Sequence, residues 1–138
     1  MSIRRTIKDI ILLDAQTTTT AISAGINVSD FRTLVLMLGA TGAAAGTIKI
    51  QGAIGATVPD FTSGLIVGVG TVDAPWTHIE GINLETGTAV DGDTGFTFAA
   101  ADVVLVEVNT NGLDWLSVHS TDVTGGAFTV KATLYDNQ

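Results

Sequence analysis

The chain has 138 residues, no cysteine and a formal net charge of −8, from 14 acidic and 6 basic side chains. This length suits one domain, which buries roughly two-thirds of the surface that the unfolded chain exposes and needs no disulfide. No basic residue lies between Lys49 and Lys131. Because phosphate binding requires clustered cations, the charge pattern excludes nucleic acid and anionic membranes as partners.

The N-terminal segment, residues 1–17, holds half of the basic residues, at Arg4, Arg5 and Lys8. Its isoleucines fit both a helical stripe and a strand, and we predict an N-terminal arm or an edge strand. Lys8 and Asp9 interrupt the apolar run that a secretion signal requires, so we expect synthesis in the host cytoplasm without export. We expect the three cations to contact an acidic neighbour.

Short runs of period-two alternation, separated by glycine, follow the N-terminal segment and predict a domain over residues 18–138. The abundance of threonine and glycine agrees with many short strands joined by tight turns. We therefore predict an all-β fold, an antiparallel β-sandwich that is jelly-roll-like. The predicted strands lie near residues 5–13, 18–24, 31–38, 46–54, 76–84, 95–99, 102–109, 115–121 and 127–135.

Glycine pairs and small residues mark the connections. Asn111-Gly112 predicts a hairpin turn between strands 102–109 and 115–121, and Gly125-Gly126 predicts a second turn after the latter. Residues 39–46 (GATGAAAG) are predicted to be an irregular connection. Residues 60–75 form a long apolar stretch, for which a surface loop and a binding loop both remain open.

Two predicted strands are apolar on both faces. Leu34, Leu36 and Leu38 alternate with Val35 and Met37 in the first, and Val103 and Leu105 alternate with valines in the second. A sandwich strand has one inward face, so a doubly apolar strand needs a second cover. Charged residues are only 14 % of the chain, against about a quarter in typical domains. We expect a homo-oligomer, preferably a closed trimer, whose interface contains Leu34, Leu36, Leu38, Val103, Leu105 and Trp115.

No catalytic constellation emerges from the sequence, and we predict neither an enzyme nor a cofactor. His78 and Glu80 share one face of a predicted strand, and His119 lies on the polar face of another. No nucleophile accompanies them. We interpret all three as exposed strand residues.

Two further patterns have a ligand alternative. Asp91 and Asp93 lie two residues apart in a DGDTG segment, which is typical of a tight turn and superficially of a calcium loop without its distal glutamate. Trp76 and Trp115 could form a sugar-stacking platform, although aromatic residues at such positions more often complete a core rim or an oligomer contact. An exposed groove containing both indoles would favour a carbohydrate-binding module.

The order of the segments FRTLVLML, GTIKIQG, VPDF, DGDTG, EVNTNGLDWL and FTVKA resembles small β-sandwich proteins of tailed-bacteriophage structural modules. The resemblance spans about residues 31–132. The proteins that this chain resembles act as capsid decoration (cement) proteins or other accessory virion proteins. It implies a virion structural protein that binds the major capsid protein on the outer surface of the head shell. The alternatives are a carbohydrate-binding module and a self-polymerising filament or tube subunit, whose interface would be heterologous.

Overall fold

Two long strands organise the fold in the computed structural model, which describes residues 4–63 and 75–137. The prediction of an all-β antiparallel fold is confirmed. No helix long and apolar enough to cross a membrane occurs in these residues. The strands are β1 (Arg4–Gln16), β2 (Ala21–Ile22), β3 (Ile26–Asn27), β4 (Thr33–Ala53), β5 (Trp76–Ile79), β6 (Gly81–Asn83), β7 (Thr88–Val90), β8 (Phe96–Phe98), β9 (Asp102–Asn109) and β10 (Trp115–Asn137).

The two longest strands, β4 and β10, pair antiparallel along their whole common length as one two-stranded ribbon. Thr33 pairs with Tyr135 at one end, and Ala53 pairs with Trp115 at the other. Register shifts between Thr121 and Gly126 mark the place where the ribbon bends. Such bulges bend a strand and increase its twist, so the ribbon passes from a first sheet into a second.

The bend requires glycine. Gly46 has φ of 149°, and a Cβ atom there would lie 2.8 Å from the Phe128 ring and 2.8 Å from the Thr121 carbonyl oxygen. A residue with a Cβ atom would be strained in this backbone conformation and would clash with these neighbours, so only glycine fits at position 46. A small-residue segment that looks like a loop is therefore the corner of the sandwich.

The first sheet has the order β1–β10–β4–β9–β6–β7, and it uses the first half of β4 with the second half of β10. In the second sheet, β2 and β3 pair with the first half of β10, while β5 and β8 pair with the second half of β4. The inner faces meet at Gly81, where a Cβ atom would lie 3.2 Å from Ile50 and 3.4 Å from Phe96 of the second sheet.

The core lies between these inner faces. Leu34, Leu36 and Leu38 are fully buried in it. The prediction that these three leucines belong to an intermolecular interface is therefore wrong. They occupy the inward face of β4, whereas Val35 and Met37 occupy the outward face and are only half-buried.

Three predicted connections are also wrong. Residues 39–46 and the Gly125-Gly126 pair lie inside β4 and β10, as parts of the bent ribbon. Asn111-Gly112 is a turn with Gly112 at φ of 91°, but it does not close a hairpin, because β9 pairs with β4 and not with β10. Local turn residues predict where the chain changes direction, but they do not determine which strands pair with each other.

The N-terminal segment is an edge strand. β1 pairs with β10, and three register shifts interrupt the pairing. Leu13 is buried in the core. Elsewhere the predicted strand 18–24 contracts to the two-residue β2, and the predicted strand 76–84 splits into β5 and β6. The strands β3 and β7 were not predicted.

Candidate functional site

The outer face of the first sheet carries an exposed apolar surface. Val103 and Leu105 of β9 are 60 % and 49 % exposed, and Ile82 and Leu84 beside them are 38 % and 44 % exposed. Exposed apolar surface that is contiguous, in contrast to scattered single residues, marks interaction sites. We call this surface the outer apolar patch and define it as Val35, Met37, Ile82, Leu84, Val103 and Leu105.

The strand register joins part of the patch into one row. Lys131, Met37 and Leu105 lie side by side across three strands, and the Leu84 amide donates a 3.0 Å hydrogen bond to the Leu105 carbonyl. Directly opposite partners on one face of a sheet lie within about 5.5 Å of each other, so their side chains touch or nearly touch.

The next row of the same face runs through Thr129, Gly39 and Val103. Gly39 has no side chain and lies beside the most exposed valine of the patch. The Met37 methyl lies 3.3 Å and the Thr129 carbonyl oxygen 3.6 Å from where a Cβ atom of Gly39 would be, and Gly39 is buried. Val103 is therefore the exposed residue of this row, whereas Gly39 is covered.

Charged residues lie both beside the patch and within it. Lys131 is exposed on β10, one strand beyond Met37. Glu85 is exposed on the opposite flank, directly after Leu84. Half-buried Glu107 of β9 lies on the same face, between Val35 and Ile82.

Of the predicted interface residues, Val103 and Leu105 face outward, and their role in an interface stays a prediction. Ile82 and Leu84 were missed, although their spacing of two within the predicted strand 76–84 places both on one face. Lys8 is exposed on the edge strand, whereas the side chains of Arg4 and Arg5 lie outside the described residues.

The outer face of the second sheet is polar but covered. Gln51 is fully buried, and its Nε2 donates a 3.0 Å hydrogen bond to the Phe61 carbonyl. Phe61 belongs to the segment that follows β4, and it packs with Ala53 and Trp76 in a second, smaller apolar cluster. Residues 64–74 of the predicted 60–75 loop lie outside the described residues.

The two histidines are buried, so their interpretation as exposed residues is wrong. The His78 side chain is 2 % exposed and His119 is 5 % exposed. Their rings stack at 6.2 Å between centroids, and His78 Nδ1 lies 3.2 Å from Asp93 Oδ1. Glu80 remains exposed. The alternation of polar and apolar residues correctly places these histidines on the face that points away from the core. Other residues cover that face, so water does not reach them.

Burial decides the protonation of His119. Its pKa is lowered to about 4, first by desolvation and then by the neighbouring His78 and Lys49, against a smaller opposite effect of Asp122. His119 is therefore neutral at pH 7. Within the described part of the chain, both of its ring nitrogens and His78 Nε2 have no hydrogen-bond partner. No solvent-accessible acid–base pair results.

The two tryptophans do not form an exposed platform. Trp76 is 4 % exposed, and its Nε1 donates to the Ser63 carbonyl at 2.9 Å. Trp115 is half-buried beside the same cluster, and its Nε1 donates to the Gly55 carbonyl at 3.0 Å. Because the Trp76 indole is buried, the two indoles do not share an exposed groove. The feature that would favour a carbohydrate-binding module is therefore missing at these two residues.

The DGDTG segment is a turn. Asp91 Oδ1 accepts hydrogen bonds from the amides of Asp93 and Thr94, at 2.8 and 3.4 Å. The Asp93 carboxylate instead faces His78. The two carboxylates thus have different partners, and no group of three metal-ligating side chains occurs in residues 4–63 and 75–137.

Comparisons with known proteins define the fold and little else. No protein-family model matches the chain. No curated protein matches it either. Among solved structures, the crystal structure of the SPBc2 prophage-derived protein YomS is similar, with a TM-score of 0.67 over 99 % of this chain and 96 % of that one. The sequence identity is 14 %, so the similarity shows a shared fold.

Proposed function

We propose that the chain is a non-enzymatic structural protein of a tailed-phage particle, a capsid decoration protein that stabilises the head shell from outside. The observation that carries this proposal is the outer apolar patch. It is exposed, whereas the core of the β-sandwich is buried and the outer face of the second sheet is covered. The prophage origin of a protein with the same fold over nearly its whole length supports it. The resemblance of the strand and turn segments to decoration proteins supports it further.

The patch suggests how such a protein would act. Apolar area removed from water contributes about 25 cal/mol per Å², so an apolar face provides binding energy without charged partners. A decoration protein that engages several neighbouring shell subunits at once gains further through effective concentration. The major capsid protein and further copies of this chain are the partners in this proposal.

The charge pattern supports a place on the outer surface of the virion. With a net charge of −8, the chain is repelled by packaged DNA, because nucleic-acid binding depends on clustered cations. Synthesis in the host cytoplasm, where shells assemble, is part of the same proposal. Contacts that depend on apolar area should weaken little when salt is added.

The proposal is tested on phage shells assembled without this protein. We expect the purified chain to bind them and to raise the temperature at which they release their contents. The Val103→Ser/Leu105→Ser variant should bind less well. The matched control is Ile54→Ser/Val58→Ser, since these side chains are 65 % and 42 % exposed but lie outside the patch. An unchanged release temperature, with the protein found on a tail or on no particle, would overturn the proposal.

A further inference from the structure

Two dipeptides of the chain have the composition that can form a cyclic imide, and the structure places them in opposite environments. In Asn-Gly and Asp-Gly, the glycine amide nitrogen can attack the preceding side-chain carbonyl carbon, because glycine has no Cβ atom to hinder the approach. The chain has one dipeptide of each kind, Asn111-Gly112 and Asp91-Gly92. Which of them reacts depends on whether the side chain and the glycine amide are free to meet.

Asn111 and Gly112 are free to meet. They are the central residues of a turn that is closed by a 3.0 Å hydrogen bond from the Leu113 amide to the Thr110 carbonyl, and both are exposed. In the part of the chain that the structure describes, neither the Gly112 amide nor the Asn111 side chain has a hydrogen-bond partner. Apart from its chain neighbours, no atom lies within 4 Å of where a Cβ atom of Gly112 would be.

The turn is held at its ends and not at its tip. Thr110 is fully buried, and its hydroxyl donates a 2.9 Å hydrogen bond to the Phe31 carbonyl. Leu113 packs against the core. The peptide between Asn111 and Gly112 can therefore rotate while both ends stay in place. Glycine, here with φ of 91°, tolerates a wide range of backbone conformations during this rotation.

The Asp91-Gly92 dipeptide is locked. Asp91 Oδ1 already accepts a 2.8 Å hydrogen bond from the Asp93 amide. Gly92 packs against the backbone of β5, since a Cβ atom there would lie 2.7 Å from the His78 carbonyl carbon. Attack of the Gly92 nitrogen on the Asp91 carboxyl group requires both of these contacts to break.

We propose that Asn111 is a site of spontaneous deamidation, at which asparagine is converted to aspartate and isoaspartate without an enzyme. The Gly112 nitrogen loses its proton and attacks Cγ of Asn111. The new N–Cγ bond closes a five-membered succinimide, the Cγ–Nδ2 bond breaks, and the side-chain nitrogen leaves with the proton as ammonia. Water then opens the ring at either carbonyl. In total, one water molecule is consumed, one ammonia is released and one carboxylate is gained.

The reaction changes both the charge and the backbone of the turn. Asn111 lines a shallow depression together with Glu80 and Glu107, so the new carboxylate is added beside two others. In isoaspartate the main chain runs through the former side chain, and the turn gains one backbone atom. The hydrogen bond from Leu113 to Thr110 then no longer fits, whereas the aspartate product retains it. The site is independent of the proposed function, because the reaction needs only water.

The test follows the purified full-length chain at physiological temperature and mildly alkaline pH by peptide mapping with mass spectrometry. We expect one exchange of NH2 for OH, at position 111, with aspartate and isoaspartate as products. Folding should slow this exchange by less than about tenfold relative to the chain in guanidinium chloride, since opening an exposed turn costs little free energy. Asn111→Gln should abolish the exchange, because its longer side chain would have to close a less favoured six-membered ring.

The Asp91-Gly92 dipeptide is the internal control, and it is compared with itself in the two states. It should form isoaspartate in guanidinium chloride and be protected in the folded chain, as electron-transfer fragmentation of the same peptides measures. Circular dichroism of Asn111→Gln and Asn111→Asp checks that the fold is retained. An Asn111 side chain that reacts only in the unfolded chain, or equal rates at Asp91 in both states, would overturn the proposal.

Discussion

The outer faces of the two sheets are opposites. The outer face of the first sheet is apolar and exposed, with Val103 and Leu105 about half in water. The outer face of the second sheet is polar and buried, with Gln51 bonded to Phe61 and the side chains of His78 and His119 out of contact with water. Hydropathy alone would assign the two environments the other way round. The first sheet exposes apolar residues to water, and the second sheet buries polar ones. Packing of the central core therefore does not explain the residue types on either outer face.

The second sheet shows the energetic side of this contrast. A buried polar group without a partner costs about 1–3 kcal/mol, and within the described residues Gln51 Oε1 and three imidazole nitrogens have none. The apolar cluster of Phe61, Trp76 and Ala53 offsets this cost by burying large side chains on the same face. The first sheet has no such cover in the described part of the chain, and association can supply it.

The largest expected effect is the difference in the free energy of unfolding between substitutions on the inner and the outer face of the first sheet. Leu36→Ala should lower the free energy of unfolding by about 3 kcal/mol, because it leaves a cavity in a filled core. Leu105→Ala should lower it by less than about 1 kcal/mol in the monomer, since half of the side chain is already in water. Urea unfolding at low protein concentration measures both. Equal losses would contradict the assignment of the two faces.

A second prediction tests the burial of His119 by pH. Its folded pKa of about 4 lies below the ordinary 6.5, so between these values the unfolded chain binds more protons than the folded one. The contribution to stability is fully present above pH 6.5 and is lost as the pH falls toward 4, by about 3 kcal/mol in total.

His119→Phe keeps an aromatic ring of similar size and removes this titration. The variant should therefore lose less stability than the wild type between pH 7 and pH 4.5, measured by denaturant unfolding at each pH. The remaining acidic groups titrate in both proteins and cancel in the difference. Parallel stability curves for the two proteins would show that His119 is accessible to water in the folded state.

The smallest expected effect concerns the turn beside the covered face. Asp91→Ala removes the acceptor of two backbone amides and should cost about 1 kcal/mol. Asp91→Asn keeps an acceptor oxygen and should cost less. The melting temperature of the wild type should not rise in millimolar calcium. A calcium-dependent rise that Asp91→Asn abolishes would restore the calcium-loop interpretation.

The period-two pattern was sufficient to predict strands and to identify β4 and β9 as apolar on both faces. It could not decide which face of β4 is internal, because Leu34, Leu36 and Leu38 differ little in hydropathy from Val35 and Met37. That choice depends on pairing with β10, whose residues lie far along the chain. The same limit explains Gly125-Gly126, which is typical of a turn in isolation and becomes a bend when a long partner strand continues past it.

The candidate site was predictable in part. Val103 and Leu105 were identified because their strand has no polar face, and their neighbours Ile82 and Leu84 could have been found by the same test. The burial of His78 and His119 was beyond local patterns, since it depends on side chains from distant strands, which bring the two rings against each other and Trp76 against His78. Spacing predicts a face, and only tertiary packing determines whether water reaches it.

The bent ribbon has a consequence for the order in which the molecule forms. β10 lies between β1 and β4, and its partners come from the first 53 residues of the chain. Neither early strand can complete its pairing in this sheet before β10, residues 115–137, has been synthesised. Contacts between such distant positions slow folding, because the intervening chain must be ordered first. Until then β1 has no pairing partner and β4 lacks a partner along one of its edges, so this protein depends on rapid completion of its last strand to avoid premature association.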